Sequence, residues 1–174
     1  MALQHPNVVT VAAALRALGA GSAADGIRVL PDAATTAASA AEQLGCDVGA
    51  IANSLVFAAV TDTDTDTDTV TVRASPVLVM TSGAHRVDTD AVATLLGVQR
   101  VERASAEQVR TWTGQPIGGV APVGHPTPIG TVVDVALMAY NQVWAAAGHP
   151  HTVFPLTFDE LVRITDGTPA EVGP

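Results

Sequence analysis

A chain of 174 residues is long enough for one substantial core and short for two, and at 48% hydrophobic but only 3% aromatic that core must be built from Ala, Val, Leu and Ile. So few rings argue against a surface on which several bases stack, and a formal net charge of −9 argues against nonspecific attachment to nucleic-acid phosphates. All eight basic residues are arginine, so no lysine can serve in catalysis or binding. The expectation is a single domain over 1–174, with the Asp/Thr repeat at 61–69 as an insert. No apolar run would span a bilayer, and Met1-Ala2-Leu3-Gln4-His5 lacks the basic-then-apolar order of a signal peptide, which predicts a soluble cytoplasmic protein with no membrane partner. Cys46 stands alone and cannot close an internal disulfide.

In chain order, Val8, Val11, Ala12, Leu15 and Leu18 recur at helical spacing, with Asn7 as the expected cap and Gly19 and Gly21 as the stop. Ala20 to Gly26 reads as a loop and Ile27 to Leu30 as a short strand ended by Pro31. Thr36 should cap an alanine-rich helix closing at Leu44-Gly45. Ile51 to Val60 reads as a strand covered on both faces, interrupted by the polar pair Asn53-Ser54, which needs a partner or a ligand. The repeat Thr61 to Thr69 follows, bearing Asp62, Asp64, Asp66 and Asp68. It lacks the glycine and distant glutamate of a calcium loop, and reads as an expanded hairpin tip between that strand and the strand-like Val70 to Val72 and Pro76 to Met80.

Ser82-Gly83 marks a turn, and Asp88 should cap a helix that closes at Gly97. Val98 to Val101 reads as a strand, and Ser105 with Gln108 forms a capping box for a helix closing at Gly114. Ile129 to Val133 reads as a strand and Asp134 to Leu137 as a turn or short helix. Gln142 to Ala147 fits a strand leading into His151 to Phe154, although the alanines of 134–147 also suit one long helix. Thr157 with Glu160 is a second capping box, for a helix ending near Asp166-Gly167. Strands and helices intersperse without strict alternation, which favours α+β.

Between these elements lies the stretch Gly114 to His125, with four glycines, two prolines and one histidine in twelve residues. Glycine admits positive φ and close approach while proline fixes φ, so the segment is either a rigid turn or a shaped loop whose bare amides receive an anion or a developing oxyanion. His125 is the candidate substrate contact beside it. His149 and His151 flank Pro150 with no third ligand at matching spacing, so neither a metal nor any other cofactor is expected. Arg100, Arg103 and Arg110 form a weak arginine footprint.

Taken in order, Ile51-Ala52-Asn53-Ser54-Leu55-Val56-Phe57, Val77-Leu78-Val79 with Ser82-Gly83, Gly118-Gly119-Val120-Ala121-Pro122-Val123-Gly124, Val133-Asp134 and Ala146-Ala147-Gly148 resemble the YbaK/EbsC family. This family comprises the editing domain of bacterial prolyl-tRNA synthetases and its free-standing relatives. The resemblance implies a closed, mixed, mostly antiparallel barrel-like sheet flanked by helices, with the pocket between the strand of Asn53 and the loop Gly118 to Pro122. It implies hydrolysis of the ester of mischarged tRNA, typically tRNA for proline carrying alanine or cysteine, and hence mischarged tRNA and possible contact with a synthetase as partners. By the same resemblance Gly118 and Asn53 are the catalytic positions. Ser54, Gly119, Val120, Ala121, Pro122, Gly124, His125, Asp134, Gly148 and His151 are the substrate-binding ones. The family usually places lysine where this chain has Asn53, which leaves open a noncatalytic module that binds a small ligand or tRNA. Nothing in the residues distinguishes a monomer from a homodimer.

Overall fold

A computed structural model describes residues 2–64 and 70–174. Asp66 and Asp68 of the repeat lie outside the described residues. The elements run α1 (Pro6–Ala17), α2 (Gly21–Asp25), β1 (Arg28–Val29), α3 (Ala37–Leu44), β2 (Ile51–Asp64), β3 (Val70–Ser82), α4 (Thr89–Leu96), β4 (Arg100–Arg103), α5 (Ala106–Thr113), β5 (Gly130–Asp134), β6 (Val143–Ala146), β7 (Thr152–Leu156), α6 (Phe158–Thr165) and β8 (Thr168–Ala170).

The longest pairing is the antiparallel hairpin of β2 and β3, in register from Ala52↔Ser82 to Asp64↔Val70. Successive side chains of a strand point to opposite faces. Ala52 and Val56 accordingly enter one apolar cluster with Leu78 and Met80, while Phe57 and Ala59 enter another with Val77 and Val79. Both faces of the hairpin are thus covered, which is why β2 reads as a nearly unbroken apolar run.

The mixed sheet has the order β1-β7-β6-β2-β3-β5-β8, with β4 also paired to β2. Its end strands β1 and β8 do not pair with each other among the described residues, and the mixed sheet flanked by helices is the α+β fold expected. On the edge of β2 away from β3, β6 runs parallel at Ile51↔Trp144 and Ala52↔Ala145, and β4 runs antiparallel from Phe57↔Arg103 to Val60↔Arg100. Residues 53–56 fall between the two and have no strand neighbour there.

Most helix ends follow their capping chemistry. Thr36, Asp88, Ser105 and Thr157 cap α3, α4, α5 and α6 through their side chains, the last two in capping boxes. The start of α1 differs from expectation: His5 is the cap, its Nδ1 accepting from the Asn7 N–H, because Pro6 occupies the first helical position, where its missing N–H is harmless. Gly21 to Asp25 forms the short helix α2 where a loop was expected. Strand β4 sits two residues later than Val98 to Val101, and β8 was not foreseen. Residues 134–147 are a 3-10 turn at Val135–Ala139 followed by β6, not one long helix.

Asp134 ties the end of β5 to the end of β3. Its carboxylate is almost fully buried and accepts from the Ser82 N–H at 3.0 Å, the Thr81 hydroxyl at 3.4 Å and the Ala136 N–H at 2.9 Å, with His85 Nδ1 at 3.2 Å. Replacing Asp134 by Asn puts an amide NH2 where one of these donors must be received. The expected outcome is a loss of about 3 kcal/mol in urea unfolding, whereas Asp159→Asn on the exposed start of α6 stays within about 0.5 kcal/mol of the parent.

Candidate functional site

The gap along β2 is the floor of a cavity of about 620 Å³, within the range of small-molecule sites. Which backbone groups face it follows from the ladder. Ile51 C=O accepts from the Gly83 N–H, so odd residues of β2 address β3, whereas Val56 and Val60 C=O accept from Ala104 and Gln99 on the opposite edge. Alternation therefore turns the N–H and C=O of Ser54 towards the gap. They form an unpaired piece of strand edge inside a cavity, able to receive an extended group.

The far wall is the glycine-proline loop, which contributes Ile117, Gly118 and Val120. Its shape is set from behind by Gln115, only 3% exposed, whose Oε1 accepts from the Ala121 N–H at 2.6 Å and whose Nε2 donates to Val123 C=O at 3.4 Å. The Gly119 N–H is likewise engaged, by Pro116 C=O. Among the described residues the N–H groups of Gly118 and Val120 donate to no protein acceptor, and these two residues line the cavity. Gly118 has φ +92°, and a Cβ there would meet no atom, so conformation and not space demands glycine. At Gly119 the reverse holds: a Cβ would lie 2.9 Å from the carbonyl carbon of His149, so the loop rests directly on the backbone of the 149–150 turn.

The remaining walls come from the start of α3 at Thr35 and Thr36, from Trp144 of β6, from Pro150 and Thr152, and from Arg103 at the end of β4. Arg103 is exposed, and no carboxylate lies within salt-bridge distance of it among the described residues. Arg28 lies 4.9 Å from the Trp144 ring centroid, a cation–π contact behind the cavity wall.

Of the residues singled out in the sequence, Asn53, Ser54, Gly118 and Val120 line the cavity together. Asn53 is half-buried and its amide bonds to no other described residue; the Ser54 hydroxyl donates to Met80 Sδ at 3.3 Å. Arg103 of the arginine footprint joins them, and the other residues named as substrate-binding stand outside the lining. Ala121 and Pro122 are buried behind it, Gly124 packs on Val11, and Gly148 packs on Asn7. Asp134 belongs to the structural network at the end of β5. His151 lies on the other side of its turn, with Nδ1 3.2 Å from Leu30 C=O. His125 braces the loop, with Nε2 2.8 Å from Ala121 C=O. Sequence reasoning missed the strut Gln115 and the cavity position of Arg103. A single glutamine between Gly114 and Pro116 carries no spacing signal, and Arg103 reaches the site only through the register of β4 on β2.

Residues 31–164 match the family model described as aminoacyl-tRNA editing domain. The chain is 36% identical over 109 residues to a proline–tRNA ligase of Bacillus licheniformis, a match that takes in 56% of this chain and only 19% of that protein. Among solved structures it is similar to a candidate trans-editing enzyme for prolyl tRNA synthetase, with TM-score 0.81 and 35% identity, covering 97% of this chain and 98% of that one. It is also similar to a scaffold protein from work on epitope backbone grafting by computational design, with TM-score 0.83 and 32% identity, covering 98% and 99% of the two chains.

Two outcomes follow from the bracing of the loop. Gln115→Met fills the same space but leaves a buried N–H and a buried C=O unpaired, and should lower unfolding free energy by about 2–4 kcal/mol in urea titration. Burial lowers the pKa of His125 below its ordinary value of 6.5, more than its bond to Ala121 raises it. Below 6.5 the unfolded chain takes up a proton that the folded one refuses, so the contribution is fully present above that pH and is lost as the pH falls. His125→Gln should flatten the fall in urea midpoint between about pH 7 and pH 5.

Proposed function

The chain belongs to the aminoacyl-tRNA editing domain family, and from that premise we propose that it hydrolyses the ester of alanyl- or cysteinyl-tRNA for proline, acting in trans. The observation that carries this reading is the cavity floored by the open edge at Ser54 and walled by Gly118 and Val120, whose N–H groups donate to no protein acceptor among the described residues. In the reaction a water oxygen joins the aminoacyl carbonyl carbon, the bond from that carbon to the ribose oxygen breaks, and the ribose oxygen takes up a proton. A free amino acid and a tRNA with an intact terminal diol result.

Negative charge develops on the carbonyl oxygen, and the two loop amides are the donors available to it; one preorganised donor of this kind is worth roughly 3 kcal/mol in the transition state. The Ser54 N–H and C=O hold the aminoacyl group extended along the strand edge. The unpartnered amide of Asn53 positions the attacking water or the ester. The ribose hydroxyl beside the ester supplies a neighbouring proton carrier, so a strong protein base is unnecessary. Asn53 carries no charge where relatives of this type usually carry lysine, and Arg103 across the cavity supplies the cation that a phosphate of the acceptor end requires.

The test is release of amino acid from alanyl- and cysteinyl-tRNA for proline. Wild type is expected to turn over at least one of them. Gly118→Ala, which strains the loop without a clash, should lower kcat by about 100-fold, and Arg103→Gln should raise KM by about tenfold with little change in kcat. No turnover by wild type, with turnover restored in Asn53→Lys, would overturn catalysis in favour of a noncatalytic binding module on the same fold.

A further inference from the structure

Three imidazoles drawn from opposite ends of the chain meet beside the cavity. The His5 and His149 ring centroids are 5.0 Å apart and those of His149 and His151 are 5.5 Å apart. With Ala2, Gln4 and Val29 they line a second, shallow cavity of about 600 Å³ that contains no carboxylate. The two cavities share the turn at 149–152: Pro150 and Thr152 face the first, His149 and His151 the second.

Hydrogen bonds fix what each ring offers. His5 Nδ1 accepts from the Asn7 N–H at 3.2 Å and His149 Nδ1 accepts from the His151 N–H at 3.1 Å. Each of these neutral rings therefore carries its proton on Nε2 and presents a donor. His151 differs, because its Nδ1 lies 3.2 Å from Leu30 C=O, which can only accept. Its proton is on Nδ1, and its Nε2 presents a lone pair. A metal would need lone pairs on all three ligating nitrogens, and His5 and His149 have theirs engaged by the backbone. Two donors beside one acceptor instead match a phosphate with a hydroxyl next to it, the repeating unit of an RNA backbone.

We propose that His5, His149 and His151 form a ribonucleotide-backbone site, in which the Nε2–H groups of His5 and His149 hold a phosphate and Nε2 of His151 accepts the adjoining ribose 2′-hydroxyl. The phosphate is the one leading into a terminal adenosine seated in the first cavity; that placement rests on the editing reading, whereas the recognition chemistry does not. The site supplies RNA recognition without lysine and without a basic surface, which suits a chain of net charge −9.

The test is a titration of the full chain with the dinucleotide CpA, its 2′-deoxy form at the cytidine, and inorganic phosphate, followed by the imidazole nitrogen resonances in NMR. CpA is expected to shift all three rings and to bind about tenfold more tightly than the deoxy form, the worth of one hydrogen bond. His151→Asn, whose amide can still donate to Leu30, should erase that preference. His149→Asn, whose carbonyl can still receive the His151 N–H, should weaken both dinucleotides equally. Equal binding of the two dinucleotides by wild type would overturn the assignment of His151. Inorganic phosphate shifting the rings while CpA does not would identify a free-phosphate site and overturn the nucleotide assignment, and unshifted rings with every ligand would overturn the site. CpA binding in a protein that hydrolyses no ester would leave this site standing and remove only the editing reading.

Discussion

One edge of β2 is divided between two strands that run in opposite directions, and the cavity exists because they cannot meet. β6 arrives parallel and leaves after Ala52, while β4 arrives antiparallel and begins at Phe57. A backbone edge left open inside a protein is costly unless something fills it. Here it is exposed to a cavity that a ligand can enter, and the opposite edge is held by an uninterrupted ladder with β3. The rigid hairpin keeps the open segment extended. Without that ladder, residues 53–56 would be a loop and the cavity would have no fixed floor.

The loop opposite is held by a comparable division of labour. Gln115 and the Gly119-to-Pro116 bond consume alternate amides of the segment, and the amides they leave belong to the residues that line the cavity. Preorganisation of this kind needs no charged residue in the wall. That matters in a chain with no lysine, whose arginines are partly committed elsewhere: Arg16 pairs with Asp25, Arg100 with Glu102, and Arg163 donates to Leu18 C=O. Arg103 stands at the cavity because β4 pairs with β2 where it does, and its cation is available because Glu102 leans to Arg100.

Local chemistry was legible in the sequence and pairing was not. Thr36, Asp88, Ser105 and Thr157 announced four helix starts because a cap and its target lie three residues apart. The apolar run of β2 announced a buried strand, and the polar pair Asn53-Ser54 within it announced a place needing a partner. The gap itself was not legible, since it depends on where β4 and β6 end along β2, and those registers join residues about forty to ninety positions apart. His5 as the cap of α1 was hidden by Asn7, the better capping residue by type, which Pro6 pre-empts by fixing the helix start two residues earlier. For the same reason the three-histidine cluster could not be seen: two of its members stand around Pro150, and the third enters only through the packing of α1.

The turn at 149–152 links the two halves of the molecule's chemistry. On one side Gly119 lies against the backbone of His149 and Pro150, so close that no side chain fits between the loop and the turn. On the other side His149 and His151 face the second cavity, and Arg28 of β1, whose strand pairs with β7, reaches over Trp144 at the wall of the first. Loop and turn therefore meet backbone to backbone, with no flexible side chain between them. Glycine at 119 thus has a role distinct from glycine at 118: one brings two backbones into contact, and the other takes the positive φ that the loop needs where it lines the cavity.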